Sequence, residues 1–277
     1  MPASLLRVAK ILAAGVLFLL GFASHACATP ESHATIELIA PAGEPLQLRR
    51  PFSVGLLFHL DPGWHIYWRN AGDSGEPPAV QWILPQGFRA GALAWPLPTR
   101  LGHGSIVDYG YENQVLLVAP IAPPSQHNAG LTDSIQIAAD VKYLICREIC
   151  VPARTHVSLS MPISAEARQA ARWRLLSAQT KSQIPKELPP GWKASARSQN
   201  TSFILSIYAP AYISRATFFP LDPNVIENAA LQTFASAKAG FQLTLKKSDL
   251  LAKPVTALRG VIVLDGGRAY EITAPVI

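Results

Sequence analysis

Two cysteines four positions apart, Cys146 and Cys150, close the stretch Tyr143-Leu144-Ile145-Cys146-Arg147-Glu148-Ile149-Cys150-Val151-Pro152. A thiol pair can bridge, bind a soft metal or exchange electrons. In an extended chain their Cα atoms would stand about 13 Å apart, at about 3.3 Å per residue. A disulfide needs about 4.4 to 6.8 Å. Pairing therefore demands that the chain fold back sharply between them. A bridge closing five residues gains only about 2 kcal/mol of chain entropy. Strain in so small a ring subtracts from that and eases reduction. Such a spacing makes a poor staple and suits a reversible redox pair, with a passive bridge and a metal site as the alternatives. The metal reading wants further ligands; His59, His65, His103 and His156 are available, but none falls at a finger-like spacing to the cysteines. Arg147 favours a thiolate on Cys146 by charge and Glu148 opposes it, so the residues alone do not choose the attacking sulfur.

What a cysteine pair means depends on its compartment. Residues Met1 to Lys10 carry Arg7 and Lys10 and no acid, and Ile11 to Ala23 form a 13-residue apolar core. That core is too short to span a bilayer and right for a signal peptide. Ala26-Cys27-Ala28 places small residues where a signal peptidase reads, so cleavage is expected after Ala28. Residues 1–28 are thus read as a signal peptide, and removing 28 of 277 residues leaves 249. Cleavage also removes Cys27, so Cys146 and Cys150 are the two cysteines left in an oxidising compartment, the periplasm of a Gram-negative cell. Net charge falls from +6 to +4 as Arg7 and Lys10 leave. The remaining basic residues are scattered, and the cluster Arg168, Arg172 and Arg174 reads as a solvated helix face, which argues against nucleic acid.

The elements that must position the pair follow from period and turns. Residues Ala34–Ile39, Phe52–Phe58, Gln114–Ala119, Ser134–Val141 and Thr155–Met161 suit strands. Turn signals such as Asp61-Pro62-Gly63, Leu84-Pro85-Gln86-Gly87 and Pro123-Pro124 separate them. Short strands without helices between them argue for an antiparallel sandwich over residues 29–161. Residues 162–186 read as a helical linker with Ser164 as N-cap, its helix running to about Gln179 and carrying only a weak apolar stripe. Residues 187–277 read as a second β-sandwich, with strands at Ser202–Tyr208, Phe241–Leu245, Arg259–Leu264 and Ala269–Thr273. Asp265-Gly266-Gly267 marks a hairpin turn, and Asn224 to Ala237 is read as a short helix. No cysteine or titratable cluster suggests chemistry in this second half.

A second region stands out between His59 and Pro78. Trp64, Tyr67 and Trp68 precede Gly72-Asp73-Ser74-Gly75, the pattern of a strand ending in a tight polar loop. Trp64 and Trp68 share a strand face and suit the sandwich core. Tyr67 or the loop then covers the cysteine pair, and Tyr109 and Tyr111, on one strand face, flank the same site.

Five motifs now stand in order: Pro62-Gly63-Trp64-His65-Ile66-Tyr67-Trp68, Gly72-Asp73-Ser74-Gly75, Trp95-Pro96, Tyr109-Gly110-Tyr111-Glu112, and Leu144 to Pro152. The series resembles the periplasmic N-terminal region of the DsbD-type thiol:disulfide interchange proteins, in particular the ScsB-like branch known for suppression of copper sensitivity. The resemblance covers about Ala34 to Met161 and the second β region more loosely. It implies an immunoglobulin-like sandwich, so the fold expected is all-β, with two immunoglobulin-like antiparallel sandwiches joined by a helical connector. It implies a protein thiol:disulfide oxidoreductase whose Cys146 and Cys150 take electrons from a membrane-embedded thiol reductase module and reduce oxidised periplasmic proteins. By the same resemblance Cys150 makes the mixed disulfides, and a cap loop shields the pair; Tyr67, Trp68, Asn70, Asp73, Tyr109 and Tyr111 are the shielding candidates. No cofactor and no resident metal are implied. The alternatives are a copper-binding or copper-tolerance protein using both thiolates, and a non-catalytic interaction module with a structural bridge. Ala71 stands where the family commonly has Pro. The chain also stops at Ile277 without membrane helices or a thioredoxin-like domain, so the donor is expected to be another polypeptide, or the chain a fragment.

Overall fold

Alternation of apolar and polar residues, the signature of half-buried strands, is what the chain turns into structure. The computed structural model describes residues 32–41, 51–103, 105–124, 134–162 and 167–277. The signal segment, Cys27 and the Ser164 cap lie outside the described residues.

The first half runs through β1 (Ala34–Ile39), β2 (Phe52–Leu60), β3 (His65–Gly72), β4 (Ala79–Ile83), β5 (Arg89–Ala90), β6 (Thr99–His103), β7 (Ile106–Glu112), β8 (Gln114–Ala122), β9 (Ser134–Cys146) and β10 (Cys150–Pro162). A helix, α1 (Ala167–Gln183), follows. The second half continues with β11 (Lys186–Glu187), β12 (Lys193–Ser198), β13 (Ser202–Tyr208), β14 (Ala216–Pro220), β15 (Thr233–Ala237), β16 (Gly240–Lys246), β17 (Ala257–Leu264) and β18 (Ala269–Pro275).

These strands build four sheets. In the first half, β1-β2-β8-β5 faces a six-stranded sheet ordered β10-β9-β3-β7-β6, in which β4 pairs with β9. In the second half the sheets are β11-β18-β17-β14 and β12-β13-β16-β15. The strands pair antiparallel except for β11 with β18, which run parallel, and Ala196 makes one further parallel bridge to Val276. The nearly all-β expectation is met. Residues Ser32–Ile277 nevertheless pack as one compact unit. The reason is visible in the cores: Phe219 and Val261, from β14 and β17, join the first half's cluster around Trp68, Tyr109, Leu56 and Ile137. The other cluster is built on Phe203, Leu205, Phe218, Leu243 and Ile262.

The helix is more than a tether. Trp173 is buried, and Gly55 leaves room for its indole, since a Cβ at Gly55 would stand 3.2 Å from that ring. The amide of Leu97 also donates to the carbonyl of Gln183 at the helix end. A single large aromatic thus docks a helix whose apolar stripe is otherwise weak.

One expectation is corrected. Asn224 to Ala237 holds no helix; β15 occupies Thr233–Ala237 and pairs with β16, leaving turns before it. Asn224 adopts a left-handed conformation, φ 58°, that a helix does not use. The Asp265–Gly267 turn does join β17 to β18, as a short 3₁₀ turn.

Candidate functional site

The cysteines meet because β9 and β10 form one hairpin. The strands pair over their whole length, from Ser134 opposite Pro162 to Cys146 opposite Cys150. The amide of Arg147 donates to the carbonyl of Ile149, 3.1 Å away, and closes the three-residue tip. This is the sharp return that pairing requires. The two Cα atoms stand 4.1 Å apart, slightly closer than the usual disulfide span, and the sulfurs are bonded; direct opposition in an antiparallel ladder brings them together. The expected strands at Ser134–Val141 and Thr155–Met161 are both longer in the structure, and the extension carries the ladder up to the disulfide.

The two cysteines differ in exposure. Cys146 is 2% exposed, because β3 runs alongside and pairs His65 with it. Cys150, on the outer edge of the hairpin, is exposed. Arg147 does not hang free at the tip: its guanidinium lies over the ring of Trp64 at 5.3 Å. The ring of His33 is stacked on the same indole at 3.8 Å.

Strand parity decides what covers the bond. On β3, Tyr67 points away from the main core and joins Ala71, Cys146 and Leu144 in a small cluster of its own. Its hydroxyl donates to Cys146 Sγ at 2.9 Å and lies 3.4 Å from Cys150 Sγ. The ring of His65 meets Tyr67 edge-on at 5.2 Å. Burial of the phenol, together with the nearby Asp108 charge, raises the Tyr67 pKa above its ordinary value; a hydrogen bond with Ser74 partly opposes this. Tyr67 therefore keeps its proton and its donor role at neutral pH.

The remaining shielding candidates are elsewhere. Trp68, Tyr109 and Tyr111 face the opposite side of the sheet and belong to the first core. Tyr109 meets Trp68 edge-on at 6.4 Å, and the Tyr111 hydroxyl donates to the Pro96 carbonyl at 2.7 Å. These three do not line the disulfide: Trp68, one along from Tyr67 on β3, points to the opposite face, and because Tyr67 stands opposite Gly110, Tyr109 and Tyr111 on β7 point to that face too. Asn70 and Asp73 hold the loop after β3 without touching the sulfurs. Asn70 donates from Nδ2 to the Pro220 carbonyl at 2.8 Å and accepts the Gly72 amide at 3.2 Å. Asp73 accepts the Val107 amide at 2.7 Å and Asn228 Nδ2 at 2.7 Å.

Two groups near the loop were not among the expected site residues. Asp108, 3% exposed, accepts both the amide and the hydroxyl of Ser74 at 2.9 to 3.0 Å. Asn228, 5% exposed, comes from the second half, where no chemistry was expected. A lone buried Asp or Asn beside a turn carries no local signal. Among the described residues, no group of three or more His, Cys, Asp or Glu side chains is placed to hold a metal ion.

A sandwich that carries a hairpin-tip disulfide against a tyrosine hydroxyl places two sulfurs where thiol–disulfide exchange is chemically possible. Residues 41–162 match the family described as thiol:disulfide interchange protein DsbD, N-terminal. The resemblance read from the five motifs is thereby shown for the first half of the chain. The crystal structure of the N-terminal periplasmic domain of ScsB from Proteus mirabilis matches with a TM-score of 0.65 at 19% identity. That match covers 89% of this chain and 96% of the other, and at such identity it concerns the fold. The YadV chaperone and a protein of unknown function from Porphyromonas gingivalis W83 match at 11% and 12% identity over 88% of this chain and 100% of each. Their TM-scores of 0.25 are too low to carry an argument. No curated protein matches.

Proposed function

We propose that this chain is a periplasmic thiol–disulfide relay, reducing oxidised partner proteins through Cys150 and refilled by a membrane-embedded thiol reductase module. The observation that supports this reading is the asymmetry of the pair: Cys150 is an exposed residue on the hairpin edge, whereas Cys146 is buried with its sulfur hydrogen-bonded by Tyr67. Exchange needs one approachable sulfur and a neighbour to resolve the mixed disulfide.

In the reduced protein the Cys150 thiolate attacks one sulfur of a partner's disulfide. A bond forms between Cys150 Sγ and that sulfur, and the partner's other sulfur leaves as thiolate. The Cys146 thiolate then attacks Cys150 Sγ and expels the partner's second thiolate. The partner has gained two electrons and the Cys146–Cys150 bond is restored. A dithiol of the reductase module reverses both steps at the same pair, its own sulfurs ending as a disulfide. Tyr67, donating to Cys146, stabilises that sulfur whenever it carries charge. No cofactor takes part in these steps.

Trapping tests the assignment. Cys146→Ala leaves Cys150 to form a mixed disulfide that nothing resolves, so complexes with periplasmic proteins should accumulate on a non-reducing gel. Cys150→Ala should trap none. Trapping by Cys150→Ala alone would reverse the roles, and trapping by neither would remove the relay.

A further inference from the structure

The loop that bears on Tyr67 is anchored from the other half of the molecule. Both of its shoulders are tied there. At one, Asn70 donates to the carbonyl of Pro220 at the end of β14. At the other, both polar atoms of the Asn228 side chain are engaged with the first half: Nδ2 donates to Asp73 Oδ1 at 2.7 Å and Oδ1 accepts the Tyr109 hydroxyl at 2.9 Å. Its backbone carbonyl accepts from Arg100 as well.

From Asp73 the connection continues without a gap. The amide of Asp73 donates to Val107 O at 3.1 Å and its second carboxylate oxygen accepts Val107 N, which clamps the loop on β7. Ser74 follows on Asp108. Gly75 then lies against the Tyr67 ring, and Tyr67 reaches the sulfurs. We propose that Asn228 is a positioning residue for the disulfide: it holds the Asp73–Gly75 loop against Tyr67 and so sets how often the cap opens. This rests on the redox reading above and gives the second half of the chain a part in it. The physical reason is that Asn228 supplies the charged Asp73 with a buried neutral donor, and a hydrogen bond to a charged group is among the stronger ones. Losing it frees the loop to open locally while the sheets stay packed through Phe219 and Val261.

The test measures reduction of the Cys146–Cys150 bond in the full chain by dithiothreitol, with acid quench and alkylation. Asn228→Ala is compared with the native residue in two backgrounds, native and Tyr67→Ala. In the native background the rate should rise about tenfold, the factor expected for one such hydrogen bond. In the Tyr67→Ala background Asn228→Ala should add no acceleration, because the cap it acts through is gone. An unchanged or slower rate in the native background overturns the proposal. Equal acceleration in both backgrounds also overturns it, since Asn228 would then only hold the sheets together. Asn228→Asp, isosteric and still able to accept from Tyr109, sets a carboxylate against Asp73; it should show the same dependence on Tyr67 and stands in where the alanine variant does not fold. Failure of the relay itself reads differently: Cys146→Ala would trap no partner whatever these rates do.

Discussion

Gly75 sits so close to Tyr67 that a Cβ on it would stand 2.1 Å from the ring's Cζ, and its φ of +76° is one that side chains avoid. Loop and cap are fitted to each other at a position that admits no side chain. A ring from β3 thus lies between the disulfide and a glycine turn that is in contact with it.

Gly75→Ala should displace the ring. The methyl group meets both an unfavourable backbone conformation and the phenol, so stability should fall by about 1 kcal/mol or more. With the whole ring drawn off the bond, the access gained should outweigh the lost hydrogen bond, and reduction by a small thiol should quicken several-fold. Denaturant unfolding and quench kinetics measure the two effects; a native-like reduction rate would show that the loop does not seat the cap.

Tyr67→Phe separates shielding from charge stabilisation. The ring remains over the bond, but the donor 2.9 Å from Cys146 Sγ is lost. Attack on Cys150 expels the Cys146 thiolate, which then lacks its hydrogen bond, so reduction by a small thiol should slow about tenfold. A faster reaction would mean that the hydroxyl chiefly blocks access.

Alkali should lift the cap. The Tyr67 pKa is raised by burial, so its protonated form is the one the fold favours. That contribution is intact below the ordinary tyrosine value of about 10 and is lost as pH climbs through the raised one. The ionisation difference spectrum between the native chain and Tyr67→Phe should therefore show a phenol titrating later than free tyrosine. Titration at or below the ordinary value would contradict the buried donor.

Trp68→Ala should be costly for a different reason. The indole is wholly buried, and Tyr109 and Phe219 both meet it edge-on at 6.4 Å. Removing it leaves a cavity shared by both halves, worth about 3 to 5 kcal/mol. Urea unfolding checks this; a loss under about 1 kcal/mol would show that the site collapses or fills with water.

Much of the frame is legible in the order of the residues alone. Period-two alternation marks β1 and the strands about Ser202 and Phe241, and the turn at Asp265-Gly266-Gly267 marks the last hairpin. Less legible are β4, β12 and β14. In β4 (AVQWI) the burial alternates only between intermediate and exposed, so neither face is strongly apolar. The placing of Trp64 and Trp68 in the core follows from their shared parity. The same parity rule sends Tyr109 and Tyr111 away from the sulfurs. Their side of the sheet is hidden from the sequence because the register between β3 and β7, Tyr67 opposite Gly110, is not written in either strand alone.

Local spacing by itself determined that two cysteines four apart would meet only if the chain folded back between them, since an extended chain holds them too far apart; that the return is a hairpin tip is the structure's answer. Spacing also determined the faces along each strand, because side chains alternate with every residue. Which sulfur is buried was decided only when β3 came to lie beside Cys146, and what steadies its tyrosine cap only when Asn228 arrived against Asp73 from 155 residues away. Contacts of that range arise from how whole sheets pack, and no local pattern along the chain encodes them.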